Sequence, residues 1–335
     1  MRRALGPVLL LVVSLALALG AAEYWCRRSL GDRLAVEVDE RNLFYRYDEE
    51  LGWLPRPGAD GTFTGERPIH VRHNSLGLRD EEVPPRQPGR PRVAFFGDSF
   101  VWGYDAEEPE RFTNLVRAAH PAWDVVNCGV SGYGTDQATL LAERLMPVLR
   151  PDVVVLGFNR GDRNDNKLAV NNGGYGKPLL NVEGGELRLE NVPVPKLTKA
   201  RYADSWLYRN LYLWRLLPFP PDSDAPRIVV YEDPTERIVD RLDASCRKAG
   251  ARLLVLVEEE DAALVGHLEA TGIAFVESGP ALEKAASAGR PLRFTGHGAH
   301  WTPDGSRVVA DVVGTALSPM LDRGVGGPAG PATAQ

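Results

Sequence analysis

From Arg92 onward, short apolar runs alternate with amphipathic stretches. Val93–Phe96, Trp123–Asn127, Val153–Leu156, Arg252–Val257 and Ile273–Val276 are too short for helices and read as buried strands. Between them, Phe112, Leu115, Val116 and Ala119 fall on one face of a helix predicted over Glu108–Ala119. Thr135–Leu149 predicts a second helix, stopped by Pro151. Ala203–Leu217 also reads as helical and carries Trp206, Tyr208, Tyr212 and Trp214; its aromatic face fits packing against the core or an N-terminal anchor helix, or lining a sugar or acyl groove. Asp233-Pro234-Thr235-Glu236 has the form of a capping box with Pro at the first helical position, opening a helix to Ala249. A last helix spans Pro303–Ala316. Strands alternating with helices call for parallel crossovers, hence an α/β class chain built as a three-layer α/β/α sandwich.

The N-terminus follows a different pattern. Arg2 and Arg3 precede an uncharged run from Ala4 to Ala22. As a helix this run would reach ~28 Å, close to the ~30 Å hydrocarbon core of a bilayer. Two readings stand. Small residues at Ala18, Gly20, Ala21 and Ala22 suit a cleavable signal peptide. The length of the run, and Tyr24 and Trp25 just after it, suit an uncleaved anchor with an interfacial aromatic belt. Both readings put the body of the protein outside the cytoplasm, in a bacterial periplasm or cell envelope. Residues 29–91 are irregular, with a turn at Pro55–Gly58 and β-like runs at Thr62–Thr64 and Ile69–Arg72. They end in the Pro-rich linker Val83–Pro91. The expected organisation is therefore a signal or anchor over 1–28, a small leader over 29–91, a main domain over 92–320 and a frayed tail over 321–335.

Composition adds less. The net charge of −6 comes without a dense basic run, which disfavours a nucleic-acid partner. The 34 glycines and 26 prolines imply many loops in a folded chain. Cys26, Cys128 and Cys246 have no paired spacing, so no zinc or disulfide framework is expected, and Cys128 reads as a buried thiol.

In open α/β sheets, ligands bind beyond the carboxyl ends of the strands. The first strand ends in Gly97-Asp98-Ser99-Phe100 and the second in Asn127-Cys128-Gly129-Val130-Ser131-Gly132-Tyr133-Gly134. The third ends in Gly157-Phe158-Asn159, and Gly296-His297-Gly298-Ala299-His300-Trp301-Thr302-Pro303 precedes the last helix. Each has a plain structural use as turn, cap or core. Together they bring a hydroxyl, a Gly-rich turn, an amide and an imidazole to one sheet edge.

In this order the four segments resemble the blocks of the SGNH (GDSL-type) hydrolases over about Val93 to Ala316. Leu51-Gly52-Trp53 and Asn74-Ser75-Leu76-Gly77-Leu78-Arg79 look like segments that precede the catalytic domain in membrane-anchored bacterial members. The resemblance implies a parallel flavodoxin-like sheet and a serine esterase with Ser99 as nucleophile and His300 as base. It also implies an oxyanion hole of the Ser99 and Gly132 backbone N–H groups and the Asn159 amide, with Asp98, His297 and Trp301 as site neighbours. No metal and no cofactor are needed.

Two departures stand out. Arg160 occupies the place of the usual Asp in the third block. The family's Asp two or three residues before the histidine is replaced by Gly298 and His297. A carboxylate there fixes the imidazole tautomer and stabilises its charged form. The sequence thus supports an exported ester hydrolase acting on acylated envelope glycans or small esters. An O-acyltransferase, or an impaired hydrolase that binds carbohydrate, remains open on the same scaffold. The oligomeric state is not legible.

Overall fold

The computed structural model describes residues 2–322 except 32, 35–39, 218–221, 223, 224, 227 and 229. The tail expected over 321–335 lies outside the described residues from 323 onward. The chain opens with α1 (Arg2–Leu30), whose segment Gly6–Leu30 is long and apolar enough to cross a membrane and buries none of its apolar window in the protein. A short helix α2 (Glu40–Phe44) leads into two antiparallel hairpins, β1 (Tyr45–Asp48) with β2 (Gly52–Pro55), and β3 (Asp60–Thr64) with β4 (Pro68–Arg72).

The main domain then runs β5 (Arg92–Phe96), α3 (Ser99–Trp102), α4 (Phe112–Ala119), β6 (Asp124–Asn127), α5 (Thr135–Leu149), β7 (Val153–Phe158) and α6 (Asp162–Asp165). An excursion follows, with the hairpin β8 (Leu179–Glu183) and β9 (Glu186–Glu190), then α7 (Thr198–Asp204) and α8 (Trp206–Asn210). The chain returns through α9 (Thr235–Lys248), β10 (Arg252–Val257), α10 (Ala262–Thr271), β11 (Ala274–Glu277), α11 (Gly279–Ser287) and α12 (Pro303–Asp322).

Five strands form one parallel sheet in the order β11-β10-β7-β5-β6. Numbered by their own succession this is 2-1-3-4-5, the flavodoxin-like order. Alternate strand residues feed two cores. Ala94, Phe96, Val154, Leu156, Val255 and Val257 face one core, closed by α5, α9 and α10. Val93, Phe95, Val153, Val155, Leu254 and Leu256 face the other, closed by α4, α11 and α12. The leader joins the first core: Phe44, Tyr45, Leu51, Trp53, Phe63, Ile69, Val71 and Leu78 are buried in the same cluster as Phe96 and Trp102.

The helix read over Ala203–Leu217 is broken in the structure. Ser205 caps a new short helix by accepting the Tyr208 N–H, and Trp214–Leu216 forms a separate 3-10 turn. The reason lies at the base of α1. Glu23 accepts the N–H groups of Tyr212 and Leu213, and Arg27 donates to the Asn210 carbonyl and sits over the Tyr212 ring. These bonds replace the helical ladder, so the segment meets α1 while Trp206 stays 63% exposed. The helix read from Glu108 starts only at Phe112, because Glu108–Glu110 is a 3-10 turn and Arg111 is extended. Pro234 stands just before α9 rather than within it, and Asp233 accepts the Thr235 N–H. The strands β1 and β2 and the helices α10 and α11 have no counterpart in the sequence reading. Among the described residues Cys26, Cys128 and Cys246 are all free and buried.

Candidate active site

The site is built where β5, β6, β7 and β10 end. Gly97, at φ +154°, turns the chain out of β5; a Cβ there would lie 2.6 Å from the Val101 side chain and 3.1 Å from the Gly157 carbonyl. Asp98 caps the four-residue α3, its carboxylate accepting the Phe100 N–H at 2.9 Å. Gly103, at φ +85°, ends that helix, and both Gly103 and Tyr104 donate to the Ser99 carbonyl. The nucleophile candidate therefore stands on a single tight turn at the head of the sheet.

His300 arrives from the other end of the chain. Phe294 N–H donates to the His300 carbonyl and Thr302 N–H to the Leu292 carbonyl, so a short antiparallel pairing holds the histidine block. The His300 Nε2 lies 2.8 Å from Ser99 Oγ. Aromatic rings fix the imidazole plane. Tyr104 stacks on it at 4.4 Å and 20°, and Phe100 lies 4.9 Å away. Trp301 is buried and packs edge-on against Phe100 and Phe112, a core role that supports the block. The Nδ1 side of the ring faces Asp105, with Oδ2 at 3.8 Å.

The remaining candidates lie on the same edge. Asn159 follows β7; its Oδ1 accepts the Gly161 N–H at 2.8 Å, which leaves the amide NH₂ as its donating end. Gly132 is at φ +79°, in a loop tied to β5 by Cys128 and Val130 N–H bonds to the Phe95 and Gly97 carbonyls. The side chain of His297 lies outside the described residues; its backbone is part of a 3-10 turn, His297–Ala299. Arg160, the departure in the third block, is followed by Asp162, whose buried carboxylate accepts the Asn159 N–H and the Thr135 hydroxyl.

Sequence reasoning missed how far the leader enters this site. Trp53 Nε1 donates to the Ser131 carbonyl, Tyr133 donates its hydroxyl proton to the Trp53 carbonyl, and Ser131 donates to Glu40. The Arg41 guanidinium covers Gly132 on the side where a Cβ would stand, and packs over the Tyr175 ring at 5.2 Å. Buried Arg79 donates to the carbonyls of Trp102, Gly103 and Ala106 and so clamps the turn after α3. The leader motif around Arg79 was visible in the sequence; its target was not.

Carboxyl groups crowd beneath the edge. Burial, helped by the charges of Asp165 and Glu259, outweighs the Phe100 N–H and pushes Asp98 up to about 7. Burial first, then the Asp98 and Asp162 carboxylates, holds Glu258 well above the usual carboxylate range, against the Asn159 amide. Asp162 is raised by burial and by Asp98 in the same way. A raised carboxyl binds more protons folded than unfolded. Its contribution is full below about 4 and is lost as pH rises through the folded value. Asp98→Asn, which keeps the cap acceptor, is expected to flatten the fall in Tm between pH 5 and pH 8. An unchanged slope in thermal melts would show that Asp98 does not titrate there. Among the described residues no cluster of three His, Cys, Asp or Glu could hold a metal ion.

The flavodoxin-like strand order, with a Gly-Asp-Ser turn after the first strand and a histidine block before the last helix, is the arrangement that the resemblance to the SGNH (GDSL-type) hydrolases implies. No family profile and no curated protein matches the chain. Among solved structures it is similar to a member of the lipolytic G-D-S-L family from Veillonella parvula at 12% identity, covering 69% of this chain and 98% of that one, with a TM-score of 0.41. It is also similar to the psychrotrophic esterase EstA from Pseudoalteromonas at 11% identity, covering 69% and 99%, with a TM-score of 0.41. A third is the acetylxylan esterase Axe2 from Geobacillus stearothermophilus, at 13% identity, covering 70% and 97%, again with a TM-score of 0.41.

Proposed function

We propose that this chain is a serine ester hydrolase in which Ser99 is the nucleophile and His300 the general base. The observation that carries it is the 2.8 Å approach of His300 Nε2 to Ser99 Oγ at the carboxyl edge of the sheet. Neutral His300 takes the hydroxyl proton on Nε2 as Oγ bonds the ester carbonyl carbon. The tetrahedral intermediate collapses, the C–O bond to the alcohol breaks, and the alcohol leaves with the proton from Nε2. Water then gives its proton to His300 and attacks the acyl-enzyme, and the Ser99 Oγ–C bond breaks to release the acid and restore the hydroxyl. The Ser99 and Gly132 backbone N–H groups and the Asn159 amide serve as the oxyanion donors.

The substrate class is an acyl ester of an envelope glycan or a small alcohol. The exposed apolar α1, with Tyr24 and Trp25 just after its uncharged run, supports a membrane-tethered domain working outside the cytoplasm. Full-length protein in detergent is expected to hydrolyse p-nitrophenyl acetate, with activity lost in Ser99→Ala. Turnover equal in the two chains would overturn the reading. If an added glycan takes the acyl group faster than water does, the same serine serves transfer instead. Asn159→Ala is expected to lower kcat about 10²–10³-fold with little change in KM, the usual effect of losing one oxyanion donor. Steady-state kinetics checks this, and a change confined to KM would place Asn159 outside the hole.

A further inference from the structure

We propose that Asp105 is the positioning residue for His300, supplying from the turn after the nucleophile the carboxylate that the histidine block lacks. This rests on the esterase reading above.

Of the two usual places for that carboxylate, one is held by His297 and the other, at Gly298, is closed. Gly298 is at φ +80°, and a Cβ there would come within 2.5 Å of His300 Cε1 and 3.0 Å of Nδ1. A side chain at 298 would be strained and would push the imidazole away from Ser99. The Nδ1 side of the ring faces another carboxylate. Asp105 Oδ2 is 3.8 Å from His300 Nδ1, and the Asp105 side chain is fully buried. That separation is an ion-pair distance, longer than a hydrogen bond; such contacts commonly tighten once charge develops on the imidazole.

The placement of Asp105 is held from several directions. It is a non-glycine residue at φ +60°, a conformation that persists only where the surroundings enforce it. They do so here. Its Oδ1 accepts the Glu66 N–H from the leader at 2.8 Å, so one oxygen is pinned and the other is aimed at the ring. The preceding Tyr104 stacks on the imidazole, and its N–H bonds back to the Ser99 carbonyl. Arg79 grips the carbonyls on both sides, at Gly103 and Ala106. Nucleophile, stacking ring and carboxylate thus come from one eight-residue stretch, Ser99 to Ala106, and only the histidine is remote. When His300 takes the Ser99 proton, the buried Asp105 carboxylate stabilises the imidazolium and fixes Nδ1 as the protonated nitrogen. It does not itself take the proton.

The test is Asp105→Asn in the full-length chain. Asn is among the residues that best tolerate a positive φ, and its amide oxygen can still accept the Glu66 N–H. The expected result is a fall in kcat on p-nitrophenyl acetate of about 10³–10⁴-fold, with KM unchanged and the thermal midpoint kept, and partial recovery in Asp105→Glu. A kcat within threefold of the parent overturns the proposal while leaving the esterase reading intact. A parent without Ser99-dependent turnover overturns both. Proton NMR of the unmutated chain, phosphonylated on Ser99, gives a check independent of the variant's folding. The proposal expects a far-downfield Nδ1 proton on His300, and its absence would overturn it.

Discussion

Ser99→Ala is expected to lower kcat for ester hydrolysis by about 10⁶-fold, and His300→Ala by nearly as much. On the proposed mechanism the two side chains act as one unit across 201 residues of chain, with Nε2 lying 2.8 Å from Oγ. Removing either leaves the other without a partner for the chemical step, so the double variant is expected to lose almost nothing more. What remains over water comes from the oxyanion donors and from binding alone. The check is kcat at saturating p-nitrophenyl acetate for the two single variants and the double. Losses that multiply would mean that serine and histidine act in separate steps, contrary to the general-base account.

The second large effect is on stability. Lys177 Nζ lies 2.5 Å from Asp136 Oδ2 and donates to the Asp165 carbonyl, and both Lys177 and Asp136 are buried. Even with this partner, burial raises the Asp136 carboxyl above its ordinary range. Lys177→Met would leave that carboxylate uncompensated near Asp165, whose own carboxyl is also raised by burial. The expected cost is about 3–5 kcal/mol at neutral pH. The sign of its pH dependence follows. Without the lysine the folded Asp136 pKa climbs further, so the variant loses stability as pH rises through that value and is penalised less in acid. Denaturant melts at pH 5 and pH 8 read this directly, and adding Asp136→Asn should recover part of the loss. A penalty equal at both pH values would show that the charge of Asp136 is not what Lys177 compensates.

Much of the scaffold was legible because its signals are local. Val93–Phe96 and Arg252–Val257 are dense apolar runs, and a parallel sheet buried on both faces needs such runs. Ser99, Gly132, Asn159 and His300 could be singled out because each sits in a short block at the end of an element. What the chain did not disclose depends on contacts between distant segments. Ala203–Leu217 has helical spacing, yet Glu23 and Arg27 of α1 take its backbone groups and break it. Tyr45–Asp48 and Gly52–Pro55 form a hairpin whose purpose is to press Tyr45 and Trp53 onto the loop before α5. Asp105 reads as one more acidic loop residue; only the turn from Ser99 to Ala106, gripped by Arg79, brings it to His300. The carboxylate missing from the histidine block was visible as an absence, whereas the backbone reason that position 298 holds none, Gly298 folded against the imidazole, needed three dimensions.

The central claim is that Ser99 is a nucleophile activated by His300. Its most direct measurement is labelling of the folded full-length chain with a fluorophosphonate, followed by mass spectrometry of the digested protein. The account predicts a single adduct on Ser99, formed slowly or not at all in His300→Ala. A folded chain that carries no adduct at Ser99, or is labelled equally fast without His300, would contradict it.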